Sequence, residues 1–188
     1  MAIDIVLVAS KLVIGLATAS IGLVADAVHS GLDAVASMLA FTAIRSASRP
    51  ADHDHPYGHG KAENIAAYTE GLLLVLAAGA ILYEVSHRLR GGHQVDVTPL
   101  AIAFVSGTIV LEVARSTILR RLFKTTGSPS IEALAADKAA DLLAVTAVLV
   151  GLVSVRLGFS WGDAVAAVVV AGLILWAANA TGSAALRE

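Results

Sequence analysis

Long apolar runs separated by short polar stretches set the pattern of this chain. Six of them are of the order of twenty residues, the length a helix needs to cross about 30 Å of hydrocarbon. They fall at Ile3–Leu23, Ala25–Ile44, Ile65–Val85, Pro99–Leu119, Ile131–Val155 and 164–182. Between the second and third runs lies a polar connection, Arg45 to Glu63, punctuated by Pro50, Pro56, Gly58 and Gly60 and dense in Asp and His. Arg90-Gly91-Gly92-His93, Gly127-Ser128-Pro129 and Trp161-Gly162-Asp163 mark the later turns. The pattern predicts an all-α membrane protein, a six-transmembrane-helix bundle in which residues 1–188 form a single transmembrane domain.

Composition supports the bilayer over a soluble core. The chain is 57% hydrophobic and only 15% charged, too apolar for an ordinary soluble domain of 188 residues. A net charge of −2 gives no reason to expect a nucleic-acid partner, and the absence of cysteine rules out disulfides and thiolate ligands. Met1-Ala2-Ile3-Asp4 has no positive n-region and no small-residue cleavage site follows, so the first run reads as a retained span rather than a signal peptide. Lys and Arg are unevenly shared between the two sides. Arg45, Arg49, Lys61, Arg115, Arg120, Arg121, Lys124 and Arg187 fall on one side; Arg88, Arg90 and Arg156 fall on the other. Such a bias places both termini in the cytoplasm.

Against this background the ionisable residues inside the spans stand out, because a charge at membrane depth costs about 2.5–3.5 kcal/mol on insertion scales and usually marks a pathway. The second span carries Asp26, His29 and Asp33; the fifth carries Asp137, Lys138 and Asp141. His29 and Asp33 are four apart, as are Asp137 and Asp141, so each pair shares a helix face. The spans run antiparallel and the pairs sit near mid-depth, where they can meet. Together they offer the four donors that a tetrahedral divalent-metal site requires.

The chemistry of such a site follows from its charges. Carboxylates packed together at mid-membrane cannot all stay ionised alone, because desolvation and mutual repulsion oppose the charged forms. A divalent cation needs deprotonated ligands, so loading it expels protons. A site of this kind, alternating between two faces, exchanges metal for protons. Lys138 projects away from the Asp137 direction on an ideal helix and is expected to balance another carboxylate, Glu70 being the choice, rather than to ligate.

The string Ala25-Asp26-Ala27-Val28-His29-Ser30-Gly31-Leu32-Asp33, followed by His55-Pro56-Tyr57-Gly58-His59-Gly60-Lys61-Ala62-Glu63, resembles the cation diffusion facilitator family of divalent-metal/proton antiporters. The likeness runs over nearly the whole chain and includes Asp163. It implies a transport site at His29, Asp33, Asp137 and Asp141, and a possible accessory loop site at Asp52, His55 and His59. It also implies zinc export from the cytoplasm, with manganese, ferrous iron or cobalt as other cargoes, and a homodimer in a bacterial inner membrane. Two features depart from the common pattern. The zinc-type family members carry His where Asp137 stands, and the usual cytoplasmic C-terminal domain is expected to be absent, since the chain stops after the sixth span.

Other readings compete with this one. The paired acids could tie helices together without binding an ion, and the Asp/His loop could be a solvated connection. A non-transporting scaffold or regulatory paralogue, pairing with a competent subunit, is the alternative function. No enzyme is expected: no nucleophile stands beside the acids, and no His-Glu-x-x-His helix is present. No cofactor is expected beyond the transported metal. Asp26, three before His29, could orient it from the outer shell. Gly15, Gly22, Gly31, Gly71, Gly79, Gly151 and Gly172 are expected at close helix contacts.

Overall fold

The computed structural model describes residues 2–50, 56, 58–91, 95–127 and 129–185. It is all-helical over these residues. The elements are α1 (Ala2–Ala17), α2 (Ile21–Ala47), α3 (Lys61–Gly91), α4 (Pro99–Thr126), α5 (Pro129–Arg156) and α6 (Gly162–Ala185). Five of the helices, α2 to α6, are long and apolar enough to cross a membrane.

The helices overrun the apolar spans, because hydrophobicity measures the stretch fit for hydrocarbon while caps decide where the backbone ladder stops. α4 starts at Pro99 behind Thr98, whose hydroxyl accepts from Ala101 N, and continues through Arg120, Arg121 and Lys124 to Gly127. Gly127 takes a left-handed conformation and its N–H closes on Phe123 O. The first element departs in the opposite direction. Apolarity carries the expected span to Leu23, yet α1 ends at Ala17 and is 16 residues long. At 1.5 Å per residue that is about 24 Å, less than the thickness of the hydrocarbon core. Ser20 ends the run: it caps α2, its hydroxyl accepting from Leu23 N, so Ile21 to Leu23 belong to the second helix.

One end of the bundle is tied by polar contacts among its three connections. Asp163, at the start of α6, accepts from Ser20 Oγ and from the N–H groups of Ile21 at 2.7 Å and Gly22 at 3.2 Å. Arg88 donates to Ala19 O, and Asp96 N donates to Thr18 O at 3.0 Å. A carboxylate at a helix N-terminus satisfies the donors that the first turn leaves open and complements its dipole. The other end carries the beginning of α1 and the end of α6.

α1 packs on α2, and α4 on α5; α2, α5 and α6 touch one another, and α3 covers α2 and α6. Leu23, Val105, Val145, Val148, Leu152, Val170 and Ile174 form the buried apolar centre. Many large apolar side chains face outward, among them Val13, Phe41, Tyr68, Val110 and Trp176. The two glycines at the α5–α6 hairpin are in tight contact: a Cβ on Gly151 would lie 2.6 Å from Ala166 Cβ, and one on Gly162 would lie 2.7 Å from Gly151 O. Close packing is not shared by all the glycines expected to provide it. Gly79 and Gly172 have nothing within 4 Å of a built Cβ and face open space.

Candidate metal centre

α2 and α5 bring their charged faces together halfway along the bundle. His29 is 3% exposed and Asp141 4%, while Asp33 is half-buried. Nδ1 of His29 lies 3.9 Å from Oδ1 of Asp33, and Nε2 lies 3.7 Å from Oδ1 of Asp141. One donor atom from each of the three lies within 4.8 Å of the others. His29 Nδ1, Asp33 Oδ2 and Asp141 Oδ1 are buried and lack a hydrogen-bond partner among the described residues. Buried polar atoms are ordinarily paired, so three side chains this close, each with an unpartnered donor atom, suit a cation held in common. Tetrahedral coordination with bonds of about 2.0–2.2 Å sets donors about 3.3–3.6 Å apart, so the three side chains need close by at most about 1.2–1.5 Å.

Asp137, the fourth expected donor, stands one turn from Asp141 and outside this trio. Its side chain is 44% exposed, and its Oδ2 lies 3.1 Å from Lys138 Nζ. Lys138 also pairs with Oδ2 of Asp141. The pairing expected between Lys138 and Glu70 is therefore replaced by a bridge within α5, because a four-carbon side chain reaches the carboxylate three residues on along its own helix. Of the accessory set, Asp52 and His55 lie outside the described residues; His59 is described, just ahead of α3.

A cavity of about 220 Å³ opens beside the trio. Asp33, Asp137, Lys138 and Asp141 line its deep side; Asp4 and Ile5 of α1, Ser37 and Met38 of α2, Arg115 of α4 and Leu134 of α5 line the side nearer the chain's ends. Arg115 spans this part, with Nη2 2.6 Å from Asp4 Oδ1 and Nη1 3.4 Å from Glu112 Oε1. Glu112, Arg115 and Lys11 join the site without being legible as part of it from sequence. Their only signal there is charge inside an apolar run, and which helix face carries it is settled by the packing. Lys11 lines the cavity, lies 3.0 Å from Asp26 Oδ2 and donates to Ser30 Oγ at 3.1 Å. Asp26 thus pairs across to α1 rather than orienting His29.

Comparison with known proteins gives this geometry a context. The profile of the cation efflux transmembrane domain matches residues 1–188. The cation-efflux pump FieF of Shewanella oneidensis is 35% identical over 165 residues, covering 88% of this chain and 56% of the relative. The magnetosome protein MamB of Magnetospira sp. is 34% identical over 168 residues, covering 87% and 56%. The manganese efflux system protein MneP of Bacillus subtilis is 32% identical over 178 residues, covering 91% and 60%. The chain spans little more than half the length of these relatives.

Proposed function

Because the chain belongs to the cation efflux transmembrane-domain family, we propose that it exports a divalent metal cation from the cytoplasm in exchange for protons, by alternating access at the centre between α2 and α5. The observation that carries this reading is the convergence of His29, Asp33 and Asp141, with unpartnered donor atoms, beside a cavity that Asp33 and Asp141 line. Three donors, with a fourth position left for water, suit an ion that must be released as readily as it is taken up. Asp137, expected as the fourth donor, stands one turn away from Asp141, where Lys138 holds its carboxylate outside the trio; it would join the ion only on leaving Lys138.

One imidazole with two or three carboxylates fits zinc, and the oxygen-rich set also admits manganese, ferrous iron or cobalt. Manganese efflux in the name of one relative supports keeping that metal in the range. Proton exchange rests on ligand chemistry: carboxylates and imidazole bind metal only after losing their protons, so metal loading and proton release are one event. With the termini cytoplasmic, the cavity faces the cytoplasm and is the loading side.

The remaining parts of the proposal come from the family likeness. They are a homodimer in a bacterial inner membrane and weak accessory binding at Asp52, His55 and His59, while the single transmembrane unit over residues 1–188 rests on the apolar runs along the chain. The test is zinc and manganese uptake into proteoliposomes under a pH gradient, with Asp33→Ala and Asp141→Ala as variants. Uptake in the parent chain and its loss in both variants, with insertion unchanged, is the expected result. Equal uptake in the variants would remove Asp33 and Asp141 from the transport site, and no uptake in the parent chain beside full binding to a second transporter subunit would establish the scaffold reading instead.

A further inference from the structure

Lys138 is placed to decide whether Asp137 joins the metal. The two oxygens of Asp141 are used differently: Oδ1 faces His29 Nε2 at 3.7 Å without a hydrogen-bond partner, while Oδ2 pairs with Lys138. The same ammonium holds Asp137 Oδ2 at 3.1 Å. One cation therefore fixes both α5 carboxylates, presenting one to the trio and keeping the other, half-buried on the cavity wall, out of it. An ammonium has three donors and no acceptor, so it can hold both acids at once and cannot itself ligate a metal.

We propose that Lys138 is a specificity-determining residue of the transport site, a positioning cation that aims Asp141 at the ion and withholds Asp137 from it. This rests on the reading of His29, Asp33 and Asp141 as the transport site. With Asp137 withheld, the ion meets one imidazole nitrogen and two carboxylates, a small low-coordinate set suited to zinc. With Asp137 released, it gains one more hard oxygen, which favours larger cations that accept more oxygen ligands, manganese among them.

Four forms of the full 188-residue chain test this: Lys138→Met, Lys138→Arg, Asp137→Asn and the double variant Lys138→Met/Asp137→Asn. Equilibrium binding of zinc and of manganese to the solubilised protein gives the affinity ratio, which can be read even where a variant does not turn over. Lys138→Gln replaces Lys138→Met if the latter fails to insert. Lys138→Met is expected to shift the ratio toward manganese by about tenfold, the scale of a single charge-assisted interaction with the ion. Lys138→Arg should keep the parent ratio, and the double variant should return to it because the released donor is gone. Asp137→Asn alone should leave the ratio unchanged. A merely structural lysine would weaken both metals alike and leave the ratio where it was, and that result would overturn the inference. So would a shift that persists undiminished in the double variant. Asp141→Ala, run alongside, separates the two levels: if it binds both metals as the parent chain does, the transport-site reading fails; if it binds neither, that reading stands and the ratios judge Lys138 alone.

Discussion

Lys11 of α1 and Asp26 of α2 form an ion pair of 3.0 Å in which both side chains are almost wholly enclosed, 4% and 1% exposed. The pair fastens the short first helix to the helix that carries His29 and Asp33. Two charges at this depth tolerate each other's presence far better than they tolerate separation. Removing one partner of a buried pair leaves the other uncompensated, at about 3–5 kcal/mol, whereas replacing both by apolar groups can be neutral.

Lys11→Met is therefore expected to lower thermal stability in detergent sharply, and Lys11→Met/Asp26→Leu to regain most of the loss. The comparison of unfolding midpoints checks it. A single variant as stable as the parent chain would mean that the pair does not hold α1 to α2.

Asp163 supports the same helix from its other side. It accepts from Ser20 Oγ, Ile21 N and Gly22 N, so Asp163→Ala strands three buried donors at the start of α2. Each unsatisfied buried group costs about 1–3 kcal/mol, so the loss should exceed about 2 kcal/mol even if neighbours relax. Asp163→Asn keeps one acceptor oxygen and should lose less. Circular-dichroism melting of the two variants tests the order; an alanine variant equal to the asparagine one would contradict the capping role.

The glycines divide into two groups with opposite expectations. On Gly151 a Cβ would meet Ala166 Cβ at 2.6 Å and Gly162 O at 2.8 Å, with backbone on one side and a short rigid side chain on the other. Gly151→Ala should force α5 and α6 apart and cost about 1–3 kcal/mol, as overpacking does. Gly79 meets nothing within 4 Å, so Gly79→Ala should be neutral or slightly stabilising, by up to about 1 kcal/mol from helix propensity. Thermal midpoints that move alike in the two variants would show that the α5–α6 contact is not as tight as its geometry.

How much of this is legible in the sequence depends on what kind of information each feature needs. The six helices follow from lengths of apolar sequence, and the His29/Asp33 and Asp137/Asp141 pairs follow from a spacing of four, both local properties of the chain. The trio of His29, Asp33 and Asp141 needs only the added fact that α2 and α5 touch. Long-range pairings are hidden. Nothing local distinguishes Asp26 as the partner of Lys11, or Asp163 as the cap of a helix that starts at Ile21. The end of α1 escapes a hydropathy window because Thr18-Ala19-Ser20 is too weakly polar to interrupt it, although Ser20 is a good N-cap. The bridge from Lys138 to Asp141 is an exception of the other kind: the two are three apart and neighbours on a helix wheel, so it is legible locally, and the expectation of Glu70 passes over it by weighing only the adjacent Asp137.

The cavity itself can be probed directly, because the chain has no cysteine and any introduced thiol is unique. Ser37 lines the cavity on the side nearer the chain's ends, with Arg115 crossing to Asp4 in the same region. Ala144 on α5 is fully enclosed, 0% exposed, and serves as the dry reference. If water reaches Asp33 and Asp141 by this route, Ser37→Cys should react with a charged, membrane-impermeant maleimide added from the side of the termini, and Ala144→Cys should not. The Arg115–Asp4 pair is about one-third exposed on each side, but Arg115 also faces Glu112, whose side chain is only 6% exposed, so Arg115→Ala should lower stability by leaving that buried carboxylate without its partner. Removing the guanidinium should nevertheless clear space above Ser37, and the labelling rate of Ser37→Cys/Arg115→Ala should rise several-fold. Zinc bound at the trio would place a cation beyond this point and slow entry of a cationic reagent more than an anionic one. Labelling of Ser37→Cys only from the opposite face, or equal labelling of Ser37→Cys and Ala144→Cys, would show that the metal reaches its site by another path.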